Sequence, residues 1–382
     1  MFTQKLNCIK MEIIATRKSN IDFLETIAMF FVVIYHTVSD IDFDIMSSNT
    51  ISVRFHYCVR SILSVSVPLF FVCNGYLLFH RNFNLQRHIH KILRIISIAL
   101  FWSAASVVFS SYVIYDVEPV NNWKLFLSQI WFTQPNYNNH IWFLHTLIII
   151  YIFFPFLKLA FDKAKSIFHF GFIIVMILVF GNTTLGEIAS LATGKNFEYF
   201  NFIGPMNPIT MSCPFSLCYF LLGGVLGTYN EKIIHSLNKH SFYIMPSIIV
   251  LICIMCFLLG LYGISFSHVL GRTWDNMFYG YGTLFTLVNV YLIYVLSLLY
   301  DYKPSDGVIH RLVYLVSINS LGIYLLHDFA IKAYAVYVYP KLSAIGLIDN
   351  YLEKLLLCAA LTLICLVISD LLSRIPGFRR LI

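Results

Sequence analysis

Residues 20–36 read NIDFLETIAMFFVVIYH, an apolar run punctuated by Asp22, Glu25 and His36. An α-helix rises about 1.5 Å per residue, and about 20 predominantly apolar residues cross a bilayer core of about 30 Å. Continued to residue 38, this stretch has the length of a membrane span. Eleven residues separate Glu25 from His36, a rotation of about 1,100°, within about 20° of three full turns. The two side chains therefore share one helix face, about 16 Å apart along it. An ionisable residue inside a span costs at least about 2.5–3.5 kcal/mol on insertion scales, so each marks a candidate polar site. The plainer alternative leaves Asp22 and Glu25 at the inner end and His36 in the outer interface.

The rest of the chain repeats this pattern. Of its 382 residues, 59% are hydrophobic and 12% charged, and the mean hydropathy is +0.76. A soluble domain carries roughly 45–50% apolar and about 25% charged residues, so a soluble globular enzyme is excluded. Apolar runs between polar breaks predict about ten helices, near 21–38, 62–79, 95–115, 141–161, 167–181, 214–229, 243–264, 279–300, 318–338 and 351–373. The fold class is thus all-α, a polytopic membrane bundle. The fifth run is short, but omitting it would invert every later segment. No cleavage site follows the first run, which reads as a retained anchor. The divisions are an N-terminal segment 1–20, one transmembrane domain 21–373 and a short basic tail 374–382.

Lys and Arg set the orientation. One side collects Lys5, Lys10, Arg17, Lys18, Arg81, Arg87, Lys91, Arg94, Lys158, Lys163, Lys165, Lys232, Lys239, Lys303, Arg311, Arg374, Arg379 and Arg380. The other holds only Arg54, Arg60, Lys124, Lys195, Arg272 and Lys341. The positive-inside rule then puts both termini in the cytoplasm, which an even number of spans satisfies. The net charge of +7 is spread between apolar runs and forms no nucleic-acid signature, so nucleic acid is not an expected partner. Nine Cys, several within apolar runs, read as small hydrophobes. Cys253 and Cys256 lack the second pair or His that a metal site needs.

Further polar residues interrupt later spans. SVSVPLFFVCNGYLLF (64–79) places Pro68, Asn74 and Gly75 in an apolar helix, predicting a kink and a close helix contact beside a polar side chain. In RHIHKILR (87–94), Lys91 and Arg94 share a face beside Arg87, a cradle for phosphate groups or plain positive-inside anchoring. His140 and His145 flank Trp142, but five residues turn a helix through about 500°, so these two do not share a metal. Asp328 and Lys332 at i, i+4 are expected to neutralise each other, leaving His327 as the remaining polar group of its segment.

Four blocks then stand in order: IDFLETIAMFFVVIYH, ending at His36; VPLFFVCNGYLLF followed by the basic KILR; HIWFLHTLIIIYIFFP; and SLGIYLLHDFAI. Together they resemble the membrane acyltransferase family 3, integral membrane O-acyltransferases of cell-surface glycans, over nearly the whole chain. Three positions depart from the family pattern. Glu25 stands where most members have Arg, Asn74 where Ser is usual, and His145 where Tyr is frequent. An Arg at position 25 would bind a phosphate or carboxylate; a Glu instead orients a polar network or pairs with a cation.

The resemblance implies transfer of an acetyl group from cytoplasmic acetyl-CoA, a co-substrate and not a resident cofactor, to a hydroxyl of a cell-surface polysaccharide or its lipid-linked precursor. The setting it implies is the cytoplasmic (inner) membrane of a bacterium, with membrane lipids as surroundings. His36 would be the general base, or carry the acyl group transiently, with Glu25 beside it in the catalytic set. Arg87, Lys91 and Arg94 would hold the donor phosphates. Asp22, Asn74, Gly75, Tyr76, Trp142, His145, Tyr324 and His327 would line the cavity or bind substrate, and no metal is expected. Buried polar residues also line transport routes, so a non-enzymatic exporter or flippase of polysaccharide or lipid is the alternative, and a structural partner of a glycan synthase a third reading.

Overall fold

The structure, a computed structural model, describes residues 18–37, 51–114, 123–131, 139–197, 214–238, 241–300, 307–344 and 351–382. Within them the secondary structure is helical, with no strand. The basic residues Lys5, Lys10, Arg17, Lys239 and Lys303 and nearly all of segment 1–20 lie outside the described residues.

Helix α1 is Ser19–Thr37. Helix α2 runs Ile51–Phe79, with a 3₁₀ turn at Ser61–Val65 just before Pro68. That is where a residue without an N–H and with a bulky ring disturbs the preceding turn. Helix α3, Leu85–Ile114, is capped by Asn84, whose side chain accepts from the Arg87 N–H at 2.9 Å. There follow α4, Trp123–Ile130; α5, Trp142–Lys163; α6, Lys165–Thr193; α7, Phe215–Asn238; α8, Ser241–Leu270; α9, Leu284–Ser297; and α10, Val308–Ile318. Helix α11, Ser320–Ala333, is extended by a π-turn at Tyr334–Val338 and a final segment Tyr339–Ala344. Helix α12 is Tyr351–Ser373.

Among the described residues, seven helical stretches are long and apolar enough to cross a membrane: α2, α3, α5, α6, α8, the α11 stretch and α12. Helix α1 is not among them, because its polar residues lower its hydropathy. Helices α9 and α10 are apolar but shorter. The expected fifth span, 167–181, proves longer than the sequence suggested. A π-turn at Ile177–Gly181 carries the helix on to Thr193, past the end of the apolar run at 181. Likewise, α2 begins at Ile51, so part of the expected 39–61 connection is helix. Arg60 is a further correction: read as a loop cation, it is 4% exposed and pairs with Asp275 at 3.6 Å.

Outward faces are apolar. Ile152, Phe156 and Leu159 on α5, Val250, Ile254 and Phe257 on α8, and Ile364, Val367 and Leu371 on α12 are all exposed, at helical spacing. Continuous exposed apolar stripes of this length suit hydrocarbon and not water. Helix α1 sits at the inside, packed against α2, α9, α10, α11 and α12. Its Leu24, Ala28, Met29 and Val33 are fully buried.

The tightest helix contact joins α2 to α7. A Cβ on Gly75 would lie 1.9 Å from the Phe220 carbonyl oxygen, and one on Gly223 would lie 2.1 Å from that of Val72. Interfaces between helices in lipid use small residues in this way to bring backbones together. Gly75, expected to line the cavity, therefore serves packing, because its Cα faces another backbone.

Candidate functional site

Two neighbouring cavities open along α1. The first, about 510 Å³, is lined by Lys18, Asp22, Glu25, Tyr76, Arg81, Ser317 and Ser320 among others. The second, about 230 Å³, is lined by Glu25, Asn74, Lys91, Arg94, Tyr151, Ser320 and Tyr324 together with Phe70, Phe143 and Leu147. Glu25 and Ser320 belong to both, so they form the wall between them.

That wall is tied by hydrogen bonds. Ser317, next to the break between α10 and α11, has its hydroxyl 2.8 Å from Asp22 Oδ1 and 2.6 Å from Glu25 Oε2. On the other side of the first cavity, Lys18 Nζ donates to the Tyr76 hydroxyl at 2.5 Å, which also accepts from Asn230 Nδ2 at 3.1 Å. Asp22 and Glu25 thus meet at one hydroxyl, that of Ser317.

The second cavity gathers the cations. Lys91 and Arg94 project from exposed positions of α3 to its mouth. Lys91 Nζ lies 4.6 Å from the centroid of the Tyr151 ring, a cation–π distance. The Tyr151 hydroxyl donates to Asn74 Oδ1 at 2.7 Å. Arg94 donates through Nε to the Arg380 carbonyl at 3.0 Å and through Nη2 to the main-chain oxygen of Ile382 at 2.9 Å, so residues 380–382 pack beside it. Its Nη1 group has no hydrogen-bond partner among the described residues. Arg87 is not brought in: it is exposed in the first turn of α3 and lines neither cavity.

Past the second cavity, Tyr324 leads to a group of three imidazoles. Its hydroxyl donates to the His140 carbonyl at 2.5 Å, and its own carbonyl accepts from His327 Nδ1 at 2.5 Å. The rings of His36, in the last turn of α1, and His140 are 4.1 Å apart by centroid. His327 lies 4.7 Å from His140 and 5.4 Å from His36. Asp328 pairs with Lys332 at 3.0 Å as expected, but it does not stop there: Asp328 Oδ1 also lies 3.4 Å from His140 Nε2. Beside His36, Tyr35 donates to Asp275 Oδ2 at 2.6 Å.

Besides Gly75 and Arg87, two more expected residues fall outside the cavities and the histidine group. The Trp142 ring packs against Phe215 and Phe278, and His145 lies five residues round α5 from His140; neither lines the two cavities. Those missed by sequence reasoning are His140, Ser317, Tyr151, Lys18 and Ser320. For His140 one signal was available: it opens a span at the same boundary where α1 ends with His36.

Apolar outside and polar along an inner axis, this is a multi-pass membrane protein with a site inside its bundle. The chain belongs to the membrane acyltransferase family 3: the family model described as an acyltransferase domain matches residues 18–374, essentially its full length. Neither curated proteins nor solved structures give a match. The protein is therefore a membrane acyltransferase by family.

Proposed function

We propose that this acyltransferase moves an acetyl group from cytoplasmic acetyl-CoA to a hydroxyl of a cell-surface polysaccharide or its lipid-linked precursor, in the cytoplasmic membrane of a bacterium. The reading gives the chain ten crossings, adding α1, α7 and α9 to the seven long apolar helices, with both termini inside. It takes residues 21–373 as one catalytic domain between a short N-terminal segment and a basic tail.

One observation carries it. Helix α1 runs from a cavity bearing Lys91 and Arg94 to a histidine group that includes His36, so one helix connects a cationic mouth with a basic centre about 16 Å further on. Donor phosphates would meet Lys91 and Arg94, whose charges suit them. Arg87, outside the cavity, would add only long-range attraction. The acyl arm would pass Glu25, Asn74 and Tyr324 towards His36.

There the acceptor hydroxyl loses its proton to His36 as its oxygen bonds to the thioester carbonyl carbon. The carbon–sulfur bond then breaks, and the coenzyme A thiolate takes up the proton. A neutral imidazole suits this exchange near pH 7. His140 and His327 would hold the His36 ring, and Asp22 and Tyr76 the entry of the first cavity.

The test compares O-acetyl content of surface polysaccharide, by proton NMR, among the parent strain, a deletion, and the deletion restored with wild type or His36→Ala at matched expression. Acetyl loss on a normal quantity of polymer, restored by wild type only, supports the reading. Disappearance of the polymer with unchanged acetylation of the remainder would establish an exporter instead.

A further inference from the structure

We propose that His36, His140 and His327 form a three-histidine site for a divalent cation of the Zn²⁺ class. The ligand nitrogens of the three residues all lie within 4.8 Å of one another. They come from α1, the turn that opens α5, and α11, so the site exists only in the folded bundle. Sequence spacing hides it, since no two of the three are neighbours in the chain.

The surrounding bonds prepare nitrogens for a metal. A carbonyl can only accept, so the contact with the Tyr324 carbonyl fixes the proton of His327 on Nδ1 and leaves the lone pair on Nε2. His327 is 1% exposed, and that Nε2 is buried with no hydrogen-bond partner among the described residues. A buried acceptor without a partner is costly, and a bound cation removes that cost. His140 turns Nε2 to Asp328, the carboxylate partner that metal-bound histidines commonly have, so Nδ1 is the nitrogen a cation would take. Lys332 on the other Asp328 oxygen steadies that carboxylate.

Zn²⁺ sits about 2.0–2.1 Å from each imidazole nitrogen, which sets tetrahedral ligands about 3.4 Å apart. Loading the site therefore requires the rings to close in from their present spacing, which is within 4.8 Å. Three protein ligands leave the fourth position to a water or a substrate oxygen, and imidazole ligands favour Zn²⁺, Co²⁺, Ni²⁺ or Cu²⁺ over Mg²⁺ and Ca²⁺. The site itself is independent of the acyl-transfer reading. One consequence rests on that reading: a cation on His36 occupies the lone pair that would accept the acceptor proton, so loading the site inhibits transfer.

The test uses the full-length protein in detergent, purified through a tag without histidine and stripped with a chelator. Titration with Co²⁺ is expected to give a tetrahedral visible absorption band saturating at one equivalent, displaced by Zn²⁺ and insensitive to millimolar Mg²⁺. The band is expected to vanish in His140→Ala and His327→Ala and to persist in His169→Ala, which changes a half-buried histidine on α6, outside the group of three. Because His327 is buried, His140→Gln serves as a second variant, and thermal unfolding verifies that each is folded. Absence of the band, or its survival in folded His140→Ala and His140→Gln, overturns the site. Saturating Co²⁺ with no loss of transfer keeps the site and overturns the role of His36 as base.

Discussion

The Tyr324 hydroxyl donates to the backbone carbonyl of His140 at 2.5 Å, while the same side chain lines the cavity that holds Glu25, Lys91 and Arg94. One buried tyrosine therefore fixes the start of α5 relative to α11 and separates the cationic cavity from the histidines. Tyr324→Phe keeps the ring and deletes this bond. Folding stability is expected to fall by about 1 kcal/mol, the net worth of one such bond. Turnover is expected to fall further, roughly tenfold, because small misplacements of reacting groups are amplified in rate. Thermal unfolding and initial rates on the same preparation separate the two, with the KM for the donor unchanged.

His36 is where the proposed chemistry turns. Loss of a general base typically costs about 10²–10⁴ in rate, and His36→Ala is expected to lie in that range while remaining folded, since His36 is only partly buried. His145→Ala is expected to stay within about threefold of wild type, because His145 lines neither cavity and is not one of the three grouped histidines. Rates of donor consumption at matched folded protein check both variants. Equal losses at the two positions would remove the distinction between them.

The three basic residues of α3 divide by position. Lys91 and Arg94 reach the cavity and Arg87 does not. Charge-assisted hydrogen bonds are worth about 1.5–3 kcal/mol, less where solvent screens them at an open mouth. Lys91→Ala and Arg94→Ala are each expected to raise the donor KM about tenfold with a smaller change in kcat. Arg87→Ala is expected to change it less than about twofold. Arg94→Ala also releases the main-chain oxygens of Arg380 and Ile382, so its folded yield is measured alongside. Steady-state kinetics at varied donor concentration decide the matter.

Membrane spans were legible because a bilayer demands long apolar runs, and α2, α3, α5, α6, α8, α11 and α12 contain the expected cores. Their ends were not legible. The extension of α6 to Thr193 passes through a π-turn and through polar residues that hydropathy reads as loop. Glu25, His36 and His327 were legible singly, as residues too polar for their setting; that Glu25 shares a cavity with Lys91 and that His36 lies beside His327 was not, because these contacts join separate helices. His140 was set aside because its angular separation from His145 was weighed within one helix, whereas its partners lie on α1 and α11. Arg60 was misread for a related reason: a cation at the edge of a run looks like topology until Asp275, more than 200 residues away, is seen beside it.

Gly75 offers a test that separates packing from substrate contact. A Cβ there would stand 1.9 Å from the Phe220 carbonyl oxygen, a backbone atom that cannot swing aside. Forcing extra volume into a tight contact typically costs about 1–3 kcal/mol. Gly75→Ala is therefore expected to lower the folded yield and the unfolding temperature while leaving the turnover of the surviving folded protein near wild type. A residue that touched substrate would show the reverse, normal yield with impaired turnover. Gly223→Ala is expected to behave alike, since its Cβ would meet the Val72 carbonyl oxygen at 2.1 Å across the same helix pair. The double variant then discriminates further. Neighbouring sites that share one strained contact do not add: once the first methyl has pushed α2 and α7 apart, the second meets more room. Its destabilisation is expected to be less than the sum of the two singles, and a full sum would mean that the glycines act at separate contacts.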